Sequence, residues 1–309
     1  MFPRALLSAS IALMCLGGCA SFEKRLDYYN YRSPTMGIRV NYAVYAPPDH
    51  SPEEELPLMV FLHGGSDDHQ SFDRWEIGQR LDRAVAAGTV PRTVVVAPEG
   101  HLGFWANWAD GSRHYEDWIV DELIDRVRGD YRTGECPEHC HLAGVSMGGA
   151  GSLRIALHRP DTFSTVGILS GPVFDTQQMV SFSHNRLIQI IIPTHRIWGP
   201  TEPRSRVARD DPYIQWATPD QVSLRIYLAW ATHDRSGIDA TSQRFANHLR
   251  DSEIPHATEV FEGYHNWVSW APVIERAIRY QVAGEPVNQV IPNTSHQETA
   301  SNRSRPKAR

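Results

Sequence analysis

Short apolar runs alternate along the chain with stretches in which apolar residues recur every three or four positions. Residues 37–48, "GIRVNYAVYAPP", set Ile38, Val40, Tyr42 and Val44 at every second position, the spacing of a half-buried outer strand. Residues 56–65, "LPLMVFLHGG", and 92–100, "RTVVVAPEG", are continuous apolar runs, as expected of central strands covered on both faces. In residues 118–131, "WIVDELIDRVRGDY", the apolar positions Ile119, Val120, Leu123, Ile124 and Val127 are separated by carboxylates, which predicts a surface helix. Further strands are predicted at "CHLAGV" (140–145), "FSTVGILS" (163–170), "SLRIYLAW" (223–230) and "ATEVFEG" (257–263), with helices at 147–160 and within "WAPVIERAIRY" (270–280). Strand and helix in such alternation imply an α/β fold: a mostly parallel central sheet with helices on both faces and active residues on loops at the strands' carboxyl ends.

The two ends depart from this pattern. Arg4 precedes an apolar stretch from Ala5 to Leu16, too short to span a bilayer as a mature helix and shaped like a signal segment over residues 1–19. Its end, "LGGC", resembles the lipobox of bacterial lipoproteins, so Cys19 is expected to be acylated and to anchor an exported chain to the cell envelope; cleavage of an ordinary secretory signal nearby is the alternative. Ala20 after the cysteine resembles lipoproteins sorted to the outer membrane. Residues 20–34 read as a linker and 35–282 as the folded domain. Residues 283–309 are polar, carry Pro286, Pro292 and Pro306, and end in Arg303, Arg305, Lys307 and Arg309; they read as a disordered tail.

With 309 residues, 41% of them hydrophobic, the chain can bury one large core. A formal charge of −6 offers no electrostatic footprint for nucleic acid. Of the four cysteines, Cys15 leaves with the signal and Cys19 takes lipid, leaving Cys136 and Cys140 in "ECPEHCH". In an exported chain this pair can close a disulfide worth about 2 kcal/mol in the chain-entropy model. Zinc is the rival, with His139 and His141 adjacent, but ligands so tightly bunched make a weak metal signature. No metal or organic cofactor is otherwise called for.

Residues 141–153, "HLAGVSMGGAGSL", contain G-V-S-M-G around Ser146. A G-x-S-x-G match alone recurs by chance, and it carries chemistry only where a strand ends, the chain turns sharply and a helix begins behind the serine. Both flanks fit here. A serine hydroxyl is a poor nucleophile at neutral pH and needs a histidine to take its proton and a carboxylate to hold that histidine's tautomer. Asp234 lies just past the strand at 223–230, and His265 in the loop before the last helix, in the chain order serine, acid, histidine. Glu99 also follows a strand but precedes the serine, Asp239 would need a differently bent loop, and His233 has the bland reading of a surface histidine. The oxyanion formed on attack needs preorganised N–H donors. "FLHGGSDD" (61–68) supplies Gly65, to pair with the amide of Met147 at the helix start. Trp105, Trp108 and Trp118 crowd "GFWANWADGSRHYEDW" (103–118), either as an apolar wall for an acyl or aryl group or as core.

"MVFLHGG", "YEDWIVDELIDRVRGDYRT", "HLAGVSMGGAGSLRIALHRPDTFS" and "FEGYHNWVSW" together resemble the esterase D group of α/β-hydrolases, which includes feruloyl and siderophore esterases, formylglutathione hydrolases and mycolyltransferases. The resemblance spans about residues 35–282. It implies the α/β-hydrolase fold and a carboxylic ester substrate, with Ser146 as nucleophile, Asp234 as acid, His265 as base and Gly65 and Met147 at the oxyanion. Residues 171–212 match no subfamily and stand as either a cap over the site or surface helices joining two strands. Acyl transfer to an alcohol by the same residues, and a non-catalytic envelope lipoprotein keeping the fold, are the alternatives to hydrolysis.

Overall fold

The computed structural model describes residues 25–200, 205–235 and 237–286. The signal segment with Cys19, and residues 287–309 of the expected tail, lie outside the described residues. One sheet holds eight strands in the order β1-β2-β4-β3-β5-β6-β7-β8: β1 (Asp27–Arg32), β2 (Arg39–Tyr45), β3 (Leu58–Leu62), β4 (Val94–Pro98), β5 (Cys140–Val145), β6 (Thr165–Leu169), β7 (Arg225–His233) and β8 (His256–Tyr264). From β4 to β8 every pairing is parallel; β2 runs antiparallel to both β1 and β4.

Between the strands lie α1 (Ser71–Arg74), α2 (Ile77–Ala86), α3 (Tyr115–Trp118), α4 (Ile124–Tyr131), α5 (Met147–His158), α6 (Thr176–His184), α7 (Arg186–Ile191), α8 (Thr194–Ile197), α9 (Ser205–Ala208), α10 (Pro212–Gln215), α11 (Ile238–Asp251) and α12 (Trp267–Ala283). The alternation of the strands divides the core. On β3, Leu58, Val60 and Leu62 join one apolar cluster with Ile124 of α4, Leu153 of α5 and Phe245 of α11. Met59 and Phe61 join the other, with Leu81 of α2 and Ile274 of α12. Helices therefore cover both faces, which is why the central strands read as unbroken apolar runs.

Two expectations need correction. The segment read as a linker carries β1, because Tyr29 and Tyr31 pack on Tyr42 of β2, with ring centroids 4.8 and 5.9 Å apart. As an edge strand it stays half-exposed, so its polar sequence "DYYNYR" hid it. In consequence β2 is the second strand, not the outer one, and is almost wholly buried. The helix expected over 118–131 is interrupted by a π-helical turn at Ile119–Leu123, although it leads to β5 as expected.

Candidate active site

β5 ends at Val145 and α5 begins at Met147, so Ser146 alone makes the turn, at φ +55° and ψ −119°. A non-glycine residue in this region is strained and must be held there by its surroundings. The Ser146 N–H donates to the Leu169 carbonyl of the neighbouring strand at 2.8 Å. Behind the turn the helix presses on the sheet: a Cβ on Gly148 would fall within the contact distance of the Leu62 carbonyl, and one on Gly144 within that of the Gly148 backbone. This close approach is why the serine is embedded among glycines.

His265 follows β8, one residue before Asn266, whose side chain caps α12 by accepting from the Ser269 N–H at 3.0 Å. Its Nε2 lies 2.9 Å from Ser146 Oγ, and its Nδ1 lies 2.5 Å from Asp234 Oδ1. A carboxylate can only accept, so Nδ1–H donates to Asp234 and Nε2 is left to accept the serine hydroxyl. The imidazole is 9% exposed and the carboxylate 0%. Burial pushes the Asp234 carboxyl up, but hydrogen bonds from His265, Ser170 and the N–H groups of Ala231 and Arg235 outweigh it and hold the carboxyl below its ordinary range. The Trp270 ring meets the imidazole edge-on, with centroids 4.8 Å apart, and its Nε1 donates to Ser170 Oγ at 3.0 Å.

The rivals to this set lie elsewhere. Asp239 is exposed in the first turn of α11, where its carboxylate accepts from the Ala240 N–H at 2.8 Å. His233 is 59% exposed beside Glu262. Glu99 is buried against three imidazoles, 2.9 Å from His69 Nδ1 and His101 Nδ1 and 3.5 Å from His63 Nε2. Burial pushes its carboxyl up, yet the hydrogen bonds from His101 and His69 outweigh it and hold the carboxyl far below the usual range.

Gly65 and Met147 line one cleft with Ser146 and His265. Gly64 packs so tightly against the turn that an added Cβ would sit 3.2 Å from Ser146 Cβ. Buried His63 ties this loop down: its Nδ1 donates to the Gly64 carbonyl at 2.8 Å, while its Nε2 accepts the Gly100 N–H at 3.0 Å. His63 and Glu99 thus support the glycine loop, a role that no spacing in the sequence signals.

The cleft has room for about 500 Å³ and is walled by Trp75, Trp267, Trp270, Phe104, Phe182 and Ile188 among others. None of Trp105, Trp108 and Trp118 lines it. Positive φ at Phe104 and Trp105 turns Phe104 toward the cleft and Trp105 into the core, where it is fully buried beside His63. From residues 171–212, whose described part carries α6 to α9, Pro172, Phe182, Ile188, Ile191 and Ile192 line the cleft. Cys136 and Cys140 are joined as a disulfide, so neither is a thiolate ligand. Burial lowers the His141 imidazole to about 4, and its Nδ1 lies 2.9 Å from Thr165 Oγ1. Among the described residues no group of three or more His, Cys, Asp or Glu is placed to hold a metal ion.

A family model named Esterase, described as "Putative esterase", matches residues 33–280. The chain belongs to the esterase family. The match bears out the family resemblance seen in the sequence and reaches two residues ahead of the expected domain start. Among curated relatives, Esterase Rv1288 of Mycobacterium tuberculosis is 24% identical over 263 residues, covering 79% of this chain and 56% of that protein. The chain thus spans little more than half the length of that relative. Among solved structures, the fluorophosphonate-binding serine hydrolase F (FphF) of Staphylococcus aureus aligns with a TM-score of 0.68 at 24% identity, covering 83% of this chain and 97% of that one. S-formylglutathione hydrolase (FrmB) of Staphylococcus aureus aligns at 0.66 and 24% identity, covering 83% and 98%. These likenesses establish the α/β-hydrolase fold for this esterase-family chain.

Proposed function

We propose that the chain hydrolyses carboxylic esters through an acyl-enzyme on Ser146. The observation that carries this reading is the unbroken hydrogen-bonded line from Ser146 Oγ through His265 to Asp234, lying at the carboxyl ends of β5, β8 and β7 under an apolar cleft. In the first step Ser146 Oγ attacks the carbonyl carbon while His265 Nε2 takes the hydroxyl proton. The resulting oxyanion faces the amides of Gly65 and Met147, at the positive end of α5. Collapse expels the alcohol, which leaves with the proton from His265, and the acyl group stays on Ser146. Water then repeats the sequence, giving the acid and the free serine. Asp234 remains ionised and holds the imidazole tautomer.

With 4-nitrophenyl acetate, a burst of nitrophenol stoichiometric with enzyme, followed by slower turnover, is the expected result. No hydrolysis of any acyl length would overturn the reading.

We further propose export and acylation of Cys19, on the strength of "LGGC" at the end of the apolar segment. Cys19→Ser should then move the protein from the membrane fraction to the soluble exported fraction. A wild-type chain that is already soluble, with no lipid by mass spectrometry, would refute this.

A further inference from the structure

The connection between β6 and β7 carries an apolar surface that the ester chemistry does not require. In α7, "RLIQII", Leu187 is 74% exposed, Ile190 79% and Ile191 70%. Their spacing of three and four residues puts them on one helix face. Ile191 also lines the cleft together with Ile188 and Ile192, so the exposed face runs into the cleft mouth without a polar break. Across the mouth, Trp75, stacked on Trp267, is 43% exposed and lines the same cleft. Large aliphatic side chains left this open in water are costly relative to burial, and contiguous ones mark a surface that is covered in use.

Three observations select a lipid surface as the cover. First, Thr176 to Pro200 contains no Asp or Glu, although the chain holds 36 acidic residues. Its full cations are Arg186 at the start of α7 and Arg196, the latter paired with Asp110 at 2.7 Å, so α7 itself carries no carboxylate to repel anionic headgroups. Second, the start of the described chain is tied beside the cleft: the Arg25 N–H donates to Asp73 at 3.0 Å, within α1 and two residues from Trp75. Third, Cys19 lies six residues before Arg25, a reach of at most about 20 Å. An acyl chain at Cys19 would therefore hold Arg25, and with it α1 on the side of the molecule that carries Trp75, within that distance of a membrane.

We propose that α7 and Trp75 form a rim that seats the cleft mouth on a lipid surface, so that the ester reaching Ser146 carries a hydrocarbon chain drawn from that surface. The substrate half of this inference rests on the esterase reading; the docking half does not. Hydrocarbon passes from the bilayer along Ile191 and Ile188 into a cleft walled by Trp267 and Phe182 without crossing water.

Two measurements on the full chain test it. An environment-sensitive fluorophore is placed by Ile190→Cys, or at the opposite end of the sheet by Asp161→Cys, which is exposed ahead of β6. Vesicles of phosphatidylethanolamine and phosphatidylglycerol bearing nitroxide-labelled acyl chains should quench the first label at least fivefold more than the second. Equal quenching would overturn the docking. So would a label at 190 that is shielded only as the chain self-associates, which would give the face to a second copy. In the second measurement, Leu187→Gln with Ile190→Gln, neither lining the cleft, should lower hydrolysis of a long-chain ester dissolved in those vesicles at least tenfold while leaving 4-nitrophenyl acetate in water within twofold. Unchanged rates on both esters, or a parallel loss on both, would overturn the inference. An unsubstituted chain that hydrolyses neither ester would refute the esterase reading, and the quenching would still decide the docking.

Discussion

Ser146→Ala should abolish covalent labelling by a fluorophosphonate and lower ester turnover by roughly a million-fold, toward the residual rate that binding and the oxyanion amides alone sustain. The argument is geometric. Ser146 Oγ is 2.9 Å from the only imidazole nitrogen of His265 left to accept its proton, and alanine removes the attacking atom while keeping the Cβ. The backbone strain at φ +55° is unchanged, and so is the packing of Gly144 against Gly148. Unfolding free energy should therefore stay within about 1 kcal/mol of the wild type. Peptide mapping of the labelled protein checks the assignment: label persisting on another serine in the alanine variant would overturn it. A large loss of stability would show instead that the hydroxyl supports the fold.

How much of this was legible in the sequence differs by element, for physical reasons. The central strands and the turn at Ser146 were readable because burial on both faces and the close approach of α5 to the sheet permit few residue types, and those types stand out. β1 was not, because an edge strand needs only alternate tyrosines to pack on its neighbour and can remain polar elsewhere. The spatial meeting of residues 146, 234 and 265 could be anticipated from chain order alone. The supports around them could not: His63 acts through a carbonyl and an amide, and Trp270 through Ser170. Such contacts join residues scattered along the chain without a shared period. Whether Trp105, Trp108 and Trp118 wall the cleft or fill core stayed open for a related reason. The local backbone at Phe104 and Trp105, not the density of tryptophans, decides which ring faces the cleft. Residues 171–212 were ambiguous because short helices with exposed apolar faces fit neither the buried nor the solvated pattern.

The second large effect separates two carboxylates five residues apart. Asp234→Asn should lower kcat by roughly a thousandfold or more, because an amide can donate as well as accept and so permits the tautomer with Nε2–H directed at Ser146. The wild-type carboxylate excludes that tautomer: it accepts from His265 Nδ1 at 2.5 Å while its oxygens are fixed by the N–H groups of Ala231 at 3.0 Å and Arg235 at 2.8 Å. Those same bonds hold the Asp234 carboxyl below its ordinary range. Its contribution to stability is accordingly present above the unfolded value of about 3.9 and is lost as pH falls through the lower folded value. Across neutral pH the group stays ionised. Asp239→Asn offers the contrast. Asp239 sits in the first turn of α11, exposed and bonded only locally to the Ala240 N–H, so its replacement should leave turnover near wild type and cost about 0.5 kcal/mol through the helix dipole. Turnover of one soluble ester by both variants decides between them. Near-wild-type kcat in Asp234→Asn, or a collapse in Asp239→Asn, would show that the imidazole is held by a group other than the carboxylate it touches.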